Sequence, residues 1–319
     1  MYRIGIDLGG TNIAVGIVND KFEIVAQDST PTLVGRPSEQ IVEDIAMLCK
    51  RLCEKLGISE SEVDSLGIAS PGVVDDATGE VIYANNLGFR HFPILPMLHE
   101  HLNIAEMHIE NDANAAAWGE AIAGAAKGSK SSVMITLGTG VGGGIIADGK
   151  VFKGFNSAAG ELGHIVIEVD GRPCTCGRRG CWETYSSATG LINMTKEKLA
   201  ECEATGRKTL MAEQVAQKGK VNGRTAFDGM RAGDEAAKEV VDTYIKYLAS
   251  GIASMINIFQ PEVLSIGGGI SNEGQFLLDL LIPEVRPQTY GNGFVPATEI
   301  RIAQLRNDAG IIGAAVLGM

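Results

Sequence analysis

Apolar residues follow two rhythms along this chain. In the first, short and nearly continuous apolar runs are broken by glycine. Tyr2-Arg3-Ile4-Gly5-Ile6 leads into residues 4–18, IGIDLGGTNIAVGIV, which reads as strand, tight glycine turn, strand. Residues 133–146, VMITLGTGVGGGII, repeat the design, and Asp7-Leu8-Gly9 aligns with Thr136-Leu137-Gly138 without a gap. A third glycine turn, Gly267-Gly268-Gly269, follows the run Val263 to Ile266. Ser65 to Gly72 reads as a strand entering a turn, and Asn85-Asn86-Leu87-Gly88-Phe89 as a loop.

The second rhythm is helical. Ser38 to Leu56 has the 3.6-residue period, with Ser38 suited to the N-cap and Gly57 to the residue after the end. An apolar strand ends near Ile109 and an alanine-rich helix begins near Ala113, which puts Asp112 at a helix N-terminus. As an N-cap it would be unremarkable; the positive end of the helix also keeps it ionised and able to accept a proton. Residues 234–259 form a long helix that stops before Pro261, and Asn307 to Met319 a helix of small residues. Strands alternating with helices predict an α/β fold. Three glycine turns after strands, two of them alike, predict a duplicated α/β unit with a nucleotide clamped between the halves. The boundary is expected near residues 112–130.

Composition narrows the function classes. The 319 residues suit two domains or one large one, at 45% apolar and 21% charged content. A formal net charge of −12 argues against a nucleic-acid surface, which needs clustered Lys and Arg. The longest small-apolar runs, such as Ala309 to Met319, are too short to span a bilayer, so no membrane partner is expected. The strand pattern starts at Tyr2, leaving no room for a targeting segment, so a cytoplasmic, reducing location is expected.

Candidate chemistry lies first in the turns. Glycines at Gly9 and Gly10 let backbone N–H groups approach an anion, and Thr11 adds a hydroxyl. Asp7 is then placed to hold a magnesium ion through water. An ordinary hairpin tip explains this motif equally well when it stands alone. Gly138, Gly140 and Gly143 match the spacing G-x-G-x-x-G, but Ile145-Ile146-Ala147-Asp148-Gly149-Lys150 after them is a strand and a turn, where a dinucleotide site requires a helix. Lys127-Gly128-Ser129-Lys130 lacks the Walker spacing.

The densest chemistry runs from Gly160 to Glu183, GELGHIVIEVDGRPCTCGRRGCWE, with three of the six cysteines. Cys174, Cys176 and Cys181, with His164 ten positions before the first, are a complete tetrahedral Cys3His set for structural zinc. A disulfide with a spare thiol is the competing reading, disfavoured in a reducing compartment. Glu161, Glu183 and the second nitrogen of His164 would be held by the same knot, the nitrogen free for a ligand. Cys49 and Cys53, four apart in a helix, read as small core residues.

Asp7 to Thr11, Leu137 to Gly144, Glu161-Leu162-Gly163-His164, the C-x-C-x4-C cluster and Cys181-Trp182-Glu183 together resemble the ROK family (repressors, open reading frames, sugar kinases), over essentially the whole chain. Within it the pattern is most similar to the bacterial ATP-dependent glucokinases. The resemblance implies an actin-like ATPase (ribonuclease H-like) fold of two α/β domains flanking a cleft. The small N-terminal domain would comprise residues 1–112 plus about 303–319, because the last helix usually returns there. The large domain would be residues 113–302, with the zinc loop. It implies phosphoryl transfer from ATP with Mg²⁺ to the 6-hydroxyl of glucose, Asp112 being the general base. Asn111, Glu161, His164 and Glu183 would hold sugar hydroxyls, with Gly72 and Asn86 at further sugar-contacting positions. Asp7, Gly9, Gly10, Thr11, Asn12, Thr136, Gly138, Thr139, Gly140, Gly267, Gly268 and Gly269 would hold the nucleotide. A homo-oligomer, dimer or tetramer, is expected. Two positions depart from the family pattern: Phe89, where such glucokinases often have Trp, and Asn12, where many members have Lys. Sister kinases for fructose, N-acetylmannosamine or allose share nearly every motif. Sugar-sensing repressors share the sugar and zinc residues but carry a helix-turn-helix domain before the first turn; with that turn at residue 7, no such domain is expected.

Overall fold

A computed structural model describes residues 1–319. The chain opens with β1 (Tyr2–Leu8), β2 (Asn12–Asn19) and β3 (Ile24–Pro31), an antiparallel meander whose first reversal is the predicted glycine turn. Helix α1 (Glu39–Leu56) leads to β4 (Val63–Ser70), parallel to β1. A small antiparallel sheet of β5 (Val73–Asp75), β6 (Glu80–Ala84) and β7 (Phe89–Phe92) follows, then α2 (Ile94–His101). Strand β8 (Met107–Asn111) lies parallel to β4, and α3 (Asp112–Ala123) comes next. The sheet order is β3-β2-β1-β4-β8.

The remainder repeats this plan. Strands β9 (Ser132–Leu137), β10 (Val141–Ala147) and β11 (Lys150–Val151) form the second meander. The metal-type loop comes next, followed by α4 (Glu183–Ser186), α5 (Ala188–Thr205), α6 (Leu210–Lys218), α7 (Thr225–Arg231) and α8 (Glu235–Phe259). Strand β12 (Val263–Gly267), α9 (Gln275–Val285), β13 (Glu299–Ile302) and α10 (Ala309–Ala315) complete the chain, with β12 and β13 parallel. The second order, β11-β10-β9-β12-β13, is the first with its strands replaced one for one. The duplication read from two alike turns therefore extends to the whole strand plan.

By packing, the chain makes two compact units: Met1–Met134 with Gly144–Gly160 and Ala303–Met319, and Ile135–Gly143 with Glu161–Ile302. The division expected from the sequence put residues 113–302 together; here α3 and residues 144–160 pack with the first unit instead. Within the first unit the reason is visible in the residues. Strand pleating sends Ile4 and Ile6 to one face of the sheet, where they share a core with Ile41, Ile45 and Leu48 of α1. Gly5, on the other face, meets α10: a Cβ there would come within 1.9 Å of Ile311 O. Gly67 does the same against Ala314 O, also at 1.9 Å. Helix α3 crosses α10 just as closely, since a Cβ on Gly313 would lie 1.8 Å from Ala115 O. The small residues of α3 and α10 are thus the condition for backbone-to-backbone packing. The buried Glu120 adds a polar tie, accepting from the backbone N–H of Ala125 at 2.6 Å, Gln304 at 3.1 Å and Leu305 at 2.7 Å.

Three end predictions are corrected. Ser38 makes no side-chain cap to α1, because its own backbone is already helical (φ −63, ψ −26); the left-handed Gly57 does end that helix. The cap of α3 is Asn111, not Asp112. Asn111 is extended (φ −60, ψ 144) and its side chain accepts from Ala113 N and Asn114 N, so Asp112 is the first helical residue. The last helix is also shorter than expected, beginning at Ala309 after a 3-10 turn at Arg306–Asp308.

In the second unit α8 is the spine. Trp182, fully buried, lies against it where Gly251 leaves room; a Cβ there would come within 2.0 Å of the indole. The indole N–H donates to Tyr247 O at 3.1 Å. No helix is long and apolar enough to cross a membrane.

Candidate functional site

In the first unit, the turn after β1 is held from two sides. Gly9 N–H donates to Asn12 O at 2.9 Å, and the Thr32 hydroxyl donates to Gly9 O at 2.6 Å. Thr11, Asn12 and Asn86 are exposed beside it, and the Asn86 amide nitrogen lies 3.4 Å from where a Gly10 Cβ would be. The half-buried Asp7 lies against Gly310 of α10, whose added Cβ would sit 3.0 Å from the Asp7 carboxyl carbon.

Asp112 keeps exposed surface at the start of α3, and its Oδ1 accepts from Ala113 N at 2.8 Å. Withdrawal of water holds its carboxyl above the usual range, against the opposing effect of that N–H bond and of the Asn111 side chain. The helix end therefore does not dominate as the sequence suggested; desolvation outweighs it. Burial first, and the nearby Asp112 charge second, push Asp7 up to about 6. Two water-poor carboxyls, one of which raises the proton affinity of the other, suit a cation or a proton acceptor role. Asn111 has spent its acceptor on Ala113 and Asn114, and one amide hydrogen on Gly72 O at 3.0 Å. Gly72 is fixed by its turn: φ is 92 and a Cβ would strike Tyr83 O at 2.0 Å.

The second unit carries the other two glycine turns and the cysteine knot. Gly268, left-handed at φ 80, lies against Leu137, whose backbone would be 2.6 Å from an added Cβ. The turns after β9 and β12 are therefore neighbours, with open space in front of Gly138 and Gly269. Thr136 precedes this turn within β9. Sequence reasoning missed the start of α5, which lies against the turn after β9. Ala188 N donates to Gly138 O at 2.9 Å, and the Thr189 hydroxyl to Thr139 O at 2.7 Å. Ser187 caps that helix through Gly190 N, and a pocket of about 690 Å³ opens beside Thr139, Gly140, Glu183, Thr189 and Asn193. Ser187 ahead of a helical run was the signal available.

His164, Cys174, Cys176 and Cys181 bring their ligand atoms within 4.8 Å of one another. Cys176 and Cys181 sulfurs are 3.6 Å apart, and Cys174 sulfur is 3.7 Å from His164 Nδ1. Two sulfurs at about 2.3 Å from a tetrahedral zinc would be about 3.8 Å apart. The four residues thus fit a metal of that geometry. Glu183 starts α4 immediately beyond the knot. Its Oε2 accepts from Val141 N at 3.1 Å and its Oε1 lies 3.8 Å from Cys174 sulfur. Gly140 permits this, since a Cβ there would lie 2.1 Å from Glu183 Oε2. Glu161 stands exposed before the 3-10 turn Leu162–His164, and its carbonyl receives His164 N–H at 3.1 Å.

The sequence model of the ROK family matches residues 3–319. A glucokinase of Halalkalibacterium halodurans is 36% identical over 98% of this chain and 93% of its own. An N-acetylmannosamine kinase of Citrobacter koseri is 30% identical over 99% and 98%. The crystal structure of a ROK family glucokinase from Streptomyces griseus, in complex with glucose and AMPPNP, superposes with a TM-score of 0.79 at 34% identity, covering 99% of both chains. The fold is the actin-like ATPase fold of these sugar kinases. With a match running to its last residue and relatives at about a third identity over nearly their full length, the chain belongs to the ROK family.

Proposed function

We propose that this chain transfers a phosphoryl group from ATP to the 6-hydroxyl of glucose, giving glucose 6-phosphate. The observation that carries the chemistry is Asp112, a solvent-reachable carboxyl at the first position of α3 with its proton affinity raised above the ordinary carboxyl range. Phosphoryl transfer is mostly positioning and charge stabilisation, so a weak base that accepts the hydroxyl proton late is sufficient. ATP with magnesium supplies the transferable group and offsets its charge. Asp7 would hold that ion through water, and the turns at Gly9 to Asn12, Thr136 to Gly140 and Gly267 to Gly269 would receive the nucleotide through backbone N–H groups.

Glu161, His164 and Glu183 would accept or donate to sugar hydroxyls, with Asn86 and Asn111 adding amide groups. Asn111 would offer the sugar at most its second amide hydrogen, which also faces Asp112, and Gly72 would act through the carbonyl that orients Asn111. Zinc would occupy the Cys3His knot, and Nδ1 as the nitrogen on the cysteine side leaves Nε2 of His164 for the sugar. The similarity to the glucokinases supports glucose as the sugar. Similarity to an N-acetylmannosamine kinase supports a second reading, a kinase for another hexose such as N-acetylmannosamine, fructose or allose. Phe89, one of the two departures from the family pattern, is 1% exposed and stacked on Phe92 at 4.4 Å, so it bears on packing.

Purified protein with ATP and Mg²⁺ should release ADP only when glucose is added, and the product should be glucose 6-phosphate. Asp112→Asn should lower kcat by roughly 10²–10⁴-fold with a smaller change in glucose affinity. Absence of sugar-dependent ADP release would remove the kinase reading. Near-normal kcat in the variant would move the base, with Glu161 the next candidate.

A further inference from the structure

Two residues before the proposed base lies a buried carboxylate that the mechanism has not used. Glu110, the fourth residue of β8, is 2% exposed. Its Oε1 accepts from Asn111 N at 2.9 Å and from the Asn114 side-chain amide at 3.1 Å. Its Oε2 is sealed from solvent and accepts no conventional hydrogen bond, but Lys153 Nζ stands 2.6 Å away. One carboxylate therefore grips the last residue of the strand and the third residue of the helix, with Asp112 between them. The cation comes from a segment about forty residues further along the same unit. Close packing backs the junction from the other side: a Cβ on Gly144 would lie 2.8 Å from Ala113 O and 3.1 Å from Asn114 Cα.

We propose that the Glu110–Lys153 ion pair is a positioning device for the Asp112 base, with Glu110 fixing the strand-to-helix junction and Lys153 compensating its buried charge. A buried carboxylate stripped of its cation is a costly group, and the junction would rearrange to relieve it. Displacement of a reacting group by a fraction of an ångström lowers turnover far more than it weakens binding that is shared among many contacts. This inference rests on Asp112 being the base.

The test measures kcat and KM with glucose and ATP, glucose affinity by calorimetry, and the folded fraction by circular dichroism, for Glu110→Gln, Lys153→Met, Lys153→Arg and the double variant Glu110→Gln/Lys153→Met. Asp112→Asn runs in parallel. Per folded molecule, Glu110→Gln and Lys153→Met should each lower kcat by about 10- to 100-fold while glucose affinity shifts by less than about 5-fold. Lys153→Arg, which keeps the cation, should recover most of the turnover lost in Lys153→Met. The double variant should lose less than the product of the two single losses, because the two side chains act as one unit. If Asp112→Asn is inactive but Glu110→Gln turns over within about 2-fold of the parent, or if the two losses multiply, the positioning role is refuted. If Asp112→Asn itself turns over normally, the underlying base assignment has failed instead.

Discussion

Asp7 is a residue whose charge opposes folding. Burial and the neighbouring Asp112 raise its carboxyl from 3.8 to about 6. Between about pH 4 and 6 the folded chain therefore binds more protons than the unfolded one, so this residue's contribution to stability is full below pH 4. It is lost as pH rises through 6 and stays lost at neutral pH, at a cost of at most about 3 kcal/mol from about 1.4 kcal/mol per unit. Asp7→Asn, in magnesium-free buffer, should accordingly raise Tm above the parent at pH 7, and the gap should close by pH 4; assayed separately with ATP and Mg²⁺, the variant should lose sugar phosphorylation. An equal gap at both pH values would show that Asp7 is not strained by its charge. The placement of Asp7 near a strand end and of Asp112 at a helix start was legible in the sequence, because each is a polar residue where an apolar run stops or a helical one begins. The cap assignment was not: Asp112 and Asn111 are both good cap formers, and only the extended backbone of Asn111 decides between them.

Among the elements, the loop from Gly160 to Glu183 has almost no regular structure of its own, only the 3-10 turn at Leu162–His164 and isolated bridges at Val166–Cys181 and Pro173–Arg179. A metal would hold what the backbone does not. The cysteine spacing made this legible, since three thiols and an imidazole specify the ligand set before any fold is known. The other half of its anchoring was not legible: Trp182 seats on Gly251, and the Tyr247 hydroxyl donates to Glu168 at 2.7 Å, both across long sequence separations. Purified protein should contain close to one zinc per chain. Cys174→Ala/Cys176→Ala should lose it and bind glucose at least about 10-fold more weakly, because Glu183 and His164 lose their frame. A metal-free parent with undiminished sugar affinity would contradict that assignment.

At the scale of the molecule, the duplicated strand plan was announced by two short glycine stretches, because a tight turn between paired strands tolerates few residue types. The five helices inserted between β11 and β12 gave no comparable sign; their apolar stripes say that each buries a face, not which neighbour covers it. The return of residues 303–319 to the first unit follows from glycine and alanine at α10, whose meaning appears only when Gly5, Gly67 and Gly119 are seen against it. The same plan underlies kinases for several sugars, so substrate choice is the account's central claim and its most exposed one. A pocket that bonds hydroxyls rejects an analogue leaving its buried polar groups unpaired, often by orders of magnitude. The measurement that tests this most directly is kcat/KM for glucose, mannose, fructose, allose and N-acetylmannosamine under one set of conditions with ATP and Mg²⁺. Glucose should stand highest, mannose lower and fructose lower still; a higher value for any of the other four sugars would contradict the assignment to glucose.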